Sequence, residues 1–376
     1  MKEVYFDNSS TTRICEKALD SMIKTAKNNY ANPSSLHVKG FESENILNLA
    51  REKISKKINC NKDQIYFTSG GTESNNIAIL GSMAKSRKFG DKIVTTNIEH
   101  PSVLQSIKYL ERKGYEVKYI KSNSAGIDID DLARSIDDRT ALVSIMMVNN
   151  ETGEKLPVEK IKNIIKLKKS KAIFHVDAVQ AFCKIPIDVQ RLGVNLLSVS
   201  AHKVHGPKGI GALYVSNKNL LSPITFGGGQ ESNLRPGTQS VELISGFSES
   251  ICSDEEMRKY YEYVNEINDY LINKTQNIKS VSINSSSNSV PYILNLSIDS
   301  IPSEVMVNYL SNKRIYVSAG SACSGNKKSR VLLNMGLSES RISSAIRVSF
   351  SRFNTKEEVN LFIDAITDAI ENLSKN

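Results

Sequence analysis

The chain has 376 residues, of which 40% are hydrophobic and 24% are charged, and its formal net charge is +9. This composition supports a large buried core in two domains and excludes a globally disordered chain. The basic residues are scattered, which favours a solvated lysine-rich surface over a nucleic-acid-binding patch, so no direct nucleic-acid partner is expected.

The first two-thirds of the chain alternates short β-rich runs with helical patterns. The pattern predicts strands at residues 64–68, 92–96, 117–120, 141–148, 172–176, 196–200 and 209–215. It predicts helices at residues 73–85, 102–113, 129–136 and 158–168. Such alternation is typical of an α/β domain with a mostly parallel sheet. Ligands of these sheets bind outside the carboxyl ends of the strands.

The pattern changes after about residue 245. A long polar helix is expected at residues 253–277, then a Ser/Asn-rich loop at 284–289, strands at 292–297, 316–318 and 345–349, and helices at 303–313 and 355–373. We predict a large domain over residues 15–250. Residues 1–14 and 251–376 are predicted to form a smaller α+β domain.

Two features of the sequence indicate where in the cell the protein is expected: the start of the chain and its longest apolar run. The first twelve residues include Glu3 and Asp7 and lack a long apolar core, unlike a signal peptide. The run at residues 141–148 is far too short to span a bilayer. We therefore expect a cytoplasmic protein without a membrane partner.

The segment at residues 68–74 reads TSGGTES and lies between a predicted strand and a predicted helix. Glycine lets the backbone approach an anion, and a helix N-terminus offers free N–H groups to a phosphate. Thr72 can add a hydroxyl group. The same segment also fits an ordinary capped turn. The chain has neither G-x-G-x-x-G nor a Walker A motif here, which disfavours dinucleotide or nucleoside-triphosphate binding.

Two further groups are predicted at the same sheet edge. Asp177 follows an apolar strand, where a carboxylate can hold the protonated ring nitrogen of an electron-sink cofactor or simply cap a helix. The next strand delivers Ser200, His202 and Lys203. Lysine forms imines well where its pKa is depressed, although most lysines are solvated surface residues. The combination favours an imine-forming lysine beside a phosphate-bearing cofactor.

The odd number of cysteines and the absence of a C-x-x-C pair disfavour a disulfide framework or a zinc site, and no metal is expected. Cys323 lies in a loop of small polar residues followed by Lys327 and Lys328, which favour a thiolate. On these grounds alone, a structural role for Cys323 stays open. The other cysteines are expected to be small buried side chains: Cys15, Cys60, Cys183 and Cys252.

The ordered motifs together resemble the NifS/IscS-type cysteine desulfurases, which are fold-type I pyridoxal-phosphate (PLP) enzymes of the class-V aminotransferase family. The resemblance covers nearly the whole chain, and its most specific parts surround Lys203 and Cys323. The matching segments are residues 5–12, 32–37, 68–74, 99–101, 148–153, 175–180, 200–203, 235–238, 318–325 and 346–349.

The resemblance implies how the cofactor, PLP, would be held. Lys203 would form the imine, Asp177 would pair with the pyridine nitrogen, and Gln180 would bond the ring oxygen. His100 would stack on the ring and move protons. The phosphate would be bound by Gly71, Thr72, Ser200 and His202, and by Thr238 of a second subunit, which implies a homodimer.

The resemblance also implies the substrate, L-cysteine. Arg347 would clamp its carboxylate, Asn150 would contact cofactor or substrate, and Asn32 would belong to the substrate site. The Cys323 thiolate would attack the substrate sulfur, so that alanine leaves and Cys323 carries a persulfide for an acceptor protein.

Two departures from the long-loop members concern the acceptor. The stretch from Cys323 to Ser329 is short, and the chain ends soon after the last predicted helix. Both put an iron–sulfur scaffold in doubt, leaving a tRNA-thiolation enzyme or another sulfur acceptor open. Alternative functions are a selenocysteine lyase, another fold-type I lyase or aminotransferase, and a non-catalytic sulfur-relay or docking protein.

Overall fold

The structure is a computed structural model that describes residues 2–86, 90–123, 126–319 and 329–373. The strands in this part of the chain are Val4–Tyr5 (β1), Ile65–Thr68 (β2), Lys92–Thr96 (β3), Glu116–Ile120 (β4), Ser122–Asn123 (β5), Gly126–Ile127 (β6), Thr140–Met146 (β7), Ile173–Asp177 (β8), Leu196–Ser200 (β9), Gly211–Val215 (β10), Val281–Ile283 (β11), Ile293–Ile298 (β12), Ile315–Tyr316 (β13), Ser318–Ala319 (β14) and Ala345–Ser349 (β15).

The α-helices in the same ranges are Glu16–Asn28 (α1), Val38–Ile58 (α2), Gly71–Ser86 (α3), Pro101–Arg112 (α4), Ile129–Ser135 (α5), Val158–Leu167 (α6), Val189–Leu192 (α7), Val241–Ser250 (α8), Asp254–Thr275 (α9), Ser303–Asn312 (α10), Arg330–Asn334 (α11), Glu339–Ser343 (α12) and Lys356–Leu373 (α13). A short 3₁₀ turn, Ala201–Lys203, follows β9. No helix among the described residues is long and apolar enough to cross a bilayer.

The central sheet has seven strands in the order β2-β10-β9-β8-β7-β3-β4. Neighbouring strands are parallel, except that β10 runs antiparallel to both β2 and β9. Every residue of β2, β3 and β7 to β10 is buried, as expected for a sheet covered by helices on both faces. The prediction of an α/β domain with a mostly parallel seven-stranded sheet is confirmed.

A smaller antiparallel sheet has the order β11-β12-β15-β14. The start of the chain packs with this C-terminal part, because β1 pairs with β13 and Asp7 bridges to Ser349. The single strand predicted at residues 316–318 is wrong: β13 pairs with β1, whereas β14 pairs with β15. The chain changes its pairing partner at Val317. The domain boundaries at residues 15–250 and 251–376 remain a prediction.

Local capping decides where two helices begin. Ser253 and Glu256 form a capping box at the start of α9, so both satisfy backbone N–H groups that the helix leaves unpaired. His100 is the N-cap of α4, and Pro101 occupies the first turn, where its missing N–H costs nothing. This cap places His100 at the edge of the central sheet, directly after β3 and its turn.

A buried ion pair ties α2 to the edge strand β2 and to the loop that follows β10. The carboxylate of Glu231 is 5% exposed and accepts hydrogen bonds from Arg51 Nη1 (2.8 Å) and Nη2 (2.5 Å). It also accepts from the Phe67 backbone N–H (2.8 Å) and Gln239 Nε2 (3.1 Å). The Arg51 guanidinium lies 4.7 Å from the centre of the Phe67 ring. Removing one partner would leave a buried charge without compensation.

We expect Glu231→Ala to lower the free energy of unfolding by about 3–5 kcal/mol, because the largely buried Arg51 would lose its carboxylate and the Phe67 N–H its acceptor. Urea denaturation measures this loss. The matched control is Glu249→Ala, since the Glu249–Lys53 pair is exposed and should contribute less than about 1 kcal/mol. Equal losses for the two variants would contradict the prediction.

Candidate active site

A cavity of about 650 Å³ opens at the carboxyl ends of the central strands. The β9 end contributes Ser200, and the N-terminal segment contributes Ser9 and Ser10. Ten residues predicted from the sequence line this cavity: Gly71, Thr72, His100, Asn150, Asp177, Gln180, Ser200, His202, Lys203 and Arg347. Residues from distant parts of the chain therefore meet where the topology of a parallel sheet places ligand sites.

One end of the cavity has the geometry of an anion cradle. Gly71 and Thr72 form the first turn of α3, where backbone N–H groups are free of intrahelical partners. A Cβ on Gly71 would lie 2.6 Å from Val179 Cγ2, so only glycine lets the chain pass this close. Ser200 Oγ is buried and has no hydrogen-bond partner among the described residues. A buried hydroxyl in that state is suited to a ligand oxygen.

The cavity also contains an acid that is held by a polar network. Asp177, the last residue of β8, accepts hydrogen bonds from the Val179 backbone N–H (3.0 Å) and from Asn75 Nδ2 (2.8 Å). Asn75 Nδ2 also lies 2.9 Å from Ser102 Oγ, which is 2.8 Å from His100 Nδ1. The network joins the ends of β3 and β8 to helix α3.

The tautomer of His100 follows from its backbone contact. The Ser102 N–H donates to His100 Nδ1 at 3.2 Å, so this nitrogen accepts and the proton of the neutral ring lies on Nε2. Burial lowers the pKa of His100, with the nearby Asp177 opposing and Lys203 reinforcing the shift. We therefore treat His100 as a neutral imidazole at pH 7.

Lys203 ends the 3₁₀ turn after β9 and projects into the cavity. Its Nζ donates to the backbone carbonyl groups of Ser9 (2.5 Å) and Ser10 (2.7 Å). The adjacent His202 lies 3.2 Å from Thr11 Oγ1 through Nδ1. Burial, and next the charge of Lys203, lowers the pKa of His202 to about 4, so this ring is neutral at pH 7.

Arg347, in β15, brings a buried guanidinium from the smaller sheet to the cavity. Its Nη2 donates to Asp7 Oδ1 (2.9 Å) and Ser10 Oγ (2.7 Å), and its Nη1 donates to the Asn150 carbonyl (2.8 Å). Its Nε is buried without a partner among the described residues. The guanidinium is held in place while retaining donors for an anionic ligand.

Several polar residues of this site were not predicted from the sequence. Asn75 and Ser102 have no sequence signal beyond helical spacing, since Asn75 lies one turn after Gly71. Glu99 and Glu151 lie inside matching motifs and could have been found there. Burial raises the pKa of Glu99 to about 8 and that of Glu151 to about 7, so both carboxyl groups bind protons more readily than ordinary glutamates.

Two predicted site residues, Asn32 and Thr238, do not line the cavity. Asn32 is exposed at a turn, where its Oδ1 accepts from the Ser34 N–H (2.9 Å), and Thr238 is exposed in the loop after β10. Cys323 lies outside the described residues.

The remaining four cysteines were expected to be buried. Cys183 and Cys252 are buried, whereas Cys15 and Cys60 are half-buried. Desolvation raises the pKa of Cys60 to about 12, which keeps that thiol protonated.

The comparisons with known proteins point to one family over nearly the whole chain. Residues 4–362 match the family model described as Aminotransferase class-V. A cysteine desulfurase IscS of Dictyoglomus turgidum is 39% identical over 379 residues, covering 99% of this chain and 95% of that protein. A putative cysteine desulfurase IscS 1 of Bacillus subtilis is 37% identical, with 100% of both chains covered. A solved structure described as a NIFS-like protein has a TM-score of 0.93 and 37% identity, covering 98% of this chain and 100% of that one.

These matches extend over both sheets and over every segment that lines the cavity in the described residues. A shared fold alone would say little about the chemistry of this chain. Here the similarity extends over the full length in both sequence and structure. The chain belongs to the class-V aminotransferase family and, within it, to the cysteine desulfurases, which use pyridoxal 5'-phosphate.

Proposed function

We propose that this protein is a PLP-dependent cysteine desulfurase that takes sulfur from L-cysteine, releases L-alanine and carries the sulfur as a persulfide on Cys323. The observation that carries this proposal is the convergence of Lys203, Asp177 and the anion cradle at Gly71 in one cavity. An amine, a buried carboxylate and a phosphate-sized cradle are the groups that this cofactor requires.

The residues present fit the cofactor at each of its polar groups. Gly71, Thr72 and the unpartnered Ser200 hydroxyl would hold the phosphate. Asp177 would hold the ring nitrogen, while Asn75 keeps one of its carboxylate oxygens in position. When bound, the cofactor supplies an electron sink for the charge left when the substrate Cα proton is removed.

The chain's own groups would orient the substrate and move its protons. Arg347 would bind the carboxylate of L-cysteine with the donors that remain after its contacts with Asp7 and Ser10. Lys203 Nζ would take the Cα proton, since it lies in the same cavity. His100 would exchange a proton through Nε2, because Nδ1 is occupied as an acceptor.

Cys323 would then receive the sulfur. Its thiolate attacks the substrate sulfur, so that an S–S bond forms and the substrate C–S bond breaks. The electron pair of the C–S bond stays with the carbon framework, which takes up a proton and leaves as alanine. The neighbouring Lys327 and Lys328 favour the thiolate that this step needs.

We also infer a homodimer, which would bring Thr238 to the partner's phosphate site. The first turns of α2 and the residues before them expose Leu36 (105%), Val38 (73%) and Phe41 (60%). Neighbouring apolar side chains as exposed as these are typical of a protein–protein interface. Asn32 and Thr238 are exposed as well, which fits residues that act across subunits.

The sulfur acceptor would be a cytoplasmic protein with an acidic docking face, because acidic side chains would complement the charges of Lys327 and Lys328. A tRNA-thiolation enzyme fits the short Cys323 loop better than an iron–sulfur scaffold does. Efficient sulfur delivery to an iron–sulfur scaffold would overturn this choice of acceptor and leave the enzymatic proposal intact.

Lys203→Ala should abolish covalent attachment of PLP and slow alanine release by about 10²–10⁴-fold or more, because the linkage and the base are lost together. Borohydride reduction followed by peptide mapping locates the attached lysine. Lys208→Ala is the matched control and should retain the visible absorbance of the wild-type protein. A cofactor label on Lys208 would refute the assignment.

Cys323→Ser should still bind PLP and L-cysteine yet release almost no alanine, since a hydroxyl is a far weaker nucleophile toward sulfur than a thiolate. Alanine assays and mass spectrometry after one turnover measure this. Cys60→Ser is the control and should stay active, because the Cys60 thiol is held protonated. Added sulfur on Cys60 or Cys183, with Cys323 unmodified, would argue against the mechanism.

Mixed dimers of Lys203→Ala and Thr238→Ala chains should regain activity, because one of their two sites combines an intact Lys203 with an intact Thr238. The measurement compares mixed and unmixed variants at equal total chain concentration. Thr238→Ala alone should weaken PLP binding. An active monomer at the working concentration would be inconsistent with the shared site.

A further inference from the structure

A buried lysine, Lys184, lies behind the cofactor cavity and takes no part in the mechanism above. It follows Gln180 by one helical-type turn and is 7% exposed. Its Nζ donates to Gln180 Oε1 at 3.1 Å, and no carboxylate of the described residues is among the groups that shift its pKa. The ring centre of Tyr292 is 5.7 Å away and offers only a cation–π contact.

The charges around Lys184 do not compensate its ammonium group. Burial is the main cause that lowers its pKa to about 7, and Lys203 and Arg347 lower it further, whereas Cys183 opposes the shift. The small cavity that Lys184 shares with Lys203 is also lined by Arg352, His205, Cys252 and the rings of Tyr260 and Tyr292. None of these supplies a carboxylate.

Such a residue costs stability, since an unpaired ammonium in this position has lost most of its hydration. A methionine would fill similar space without that cost. The buried lysine therefore points to a role other than packing.

The hydrogen bond from Lys184 determines which way the Gln180 amide faces. Lys184 Nζ donates to Gln180 Oε1, and in its protonated form the lysine can only donate, so below its lowered pKa the amide oxygen has to face Lys184. The amide nitrogen of Gln180 is consistent with this orientation, because Nε2 donates to the Ser9 carbonyl at 3.0 Å. An amide nitrogen carries two hydrogens, and the second one is left for the cavity that Gln180 lines.

We infer that Lys184 is a positioning residue, which holds the Gln180 amide so that its nitrogen donates to the ring oxygen of the bound cofactor. This inference rests on the proposed cofactor site. The Ser9 carbonyl that accepts from Gln180 also accepts from Lys203 Nζ, so the same contacts join the positioning residue to the imine-forming lysine.

The inference predicts a spectroscopic effect with a definite sign. A donor to the ring oxygen would disfavour the protonated form of the nitrogen that joins Lys203 to the cofactor. The positive charge of Lys184 would act in the same direction at a pH where this lysine is protonated. Without Lys184, the nitrogen that joins Lys203 to the cofactor would bind its proton more tightly. The midpoint of the pH-dependent change in visible absorbance should therefore move upward, by about one pH unit.

The test compares wild type, Lys184→Met, Gln180→Ala and the double variant. Below the lowered pKa of Lys184, at about pH 6, Lys184→Met should bind PLP about 3- to 10-fold more weakly, and the double variant should be no weaker than Gln180→Ala alone. The thermal midpoint of cofactor-free Lys184→Met should equal or exceed that of wild type. Lys184→Arg should restore the donor and the affinity, and Lys208→Met, which removes an exposed cation, should change neither readout.

The results for these variants either support the role of Lys184 or exclude it. Unchanged PLP affinity and absorbance midpoint in Lys184→Met overturn it, and so do losses that add fully in the double variant. Should Lys184→Met fail to fold, Lys184→Leu, which also removes both the charge and the donor, is measured in the same way. A wild-type protein that does not bind PLP overturns the proposed function and this inference together, whereas normal binding with an unaltered variant overturns the inference alone.

Discussion

The site depends on the N-terminal segment being held between the two sheets. Ser349, in the smaller sheet, donates through its backbone N–H to the Phe6 carbonyl and accepts at its Oγ from the Ser9 N–H, at 2.6 and 2.9 Å. On the other side, the Thr12 N–H donates to the His202 carbonyl at 2.9 Å, beside Lys203. These contacts bring main-chain carbonyl groups of the N-terminal segment into the cavity, where they accept from Lys203 and Gln180.

This arrangement joins one wall of the cavity to the smaller sheet. Arg347 reaches the cavity from β15, and its partners Asp7 and Ser10 belong to the N-terminal segment. Phe6 packs edge-on against Phe350, with ring centres 5.1 Å apart, directly beside these polar contacts. A substrate carboxylate bound by Arg347 would therefore contact a group whose position the smaller sheet determines. Rigid support of this kind is what precise positioning of reacting groups requires.

Charge is distributed unevenly around the cavity. Lys203 and Arg347 contact the N-terminal segment, whereas Asp177 stands at the end of β8. The cations suit a ligand that carries phosphate and carboxylate groups, while Asp177 suits a protonated ring nitrogen. The neutral state of His100 and His202 fits this pattern, since both rings are desolvated and near Lys203.

The sequence by itself determined the mostly parallel sheet. It also predicted that Lys203, the strand-end Asp177 and the glycine turn before α3 lie at one edge of that sheet, because each of these features depends on residues close together in the chain. Periodicity and turn chemistry are local properties, and β3, β9 and β15 begin and end where the pattern predicts. Helices α1, α2 and α8 were not predicted, and the strand expected at residues 316–318 proved to be two, since its partners lie far away in the sequence.

Only the tertiary structure decided which polar groups meet. Asn75 reaches Asp177 across 102 positions of the chain, and Gln180 reaches Ser9 across 171. Lys184, one of 49 basic residues, is indistinguishable in the sequence from a solvated surface lysine. Its burial results from packing between the central sheet and the smaller one, and no local pattern encodes the removal of water from a side chain.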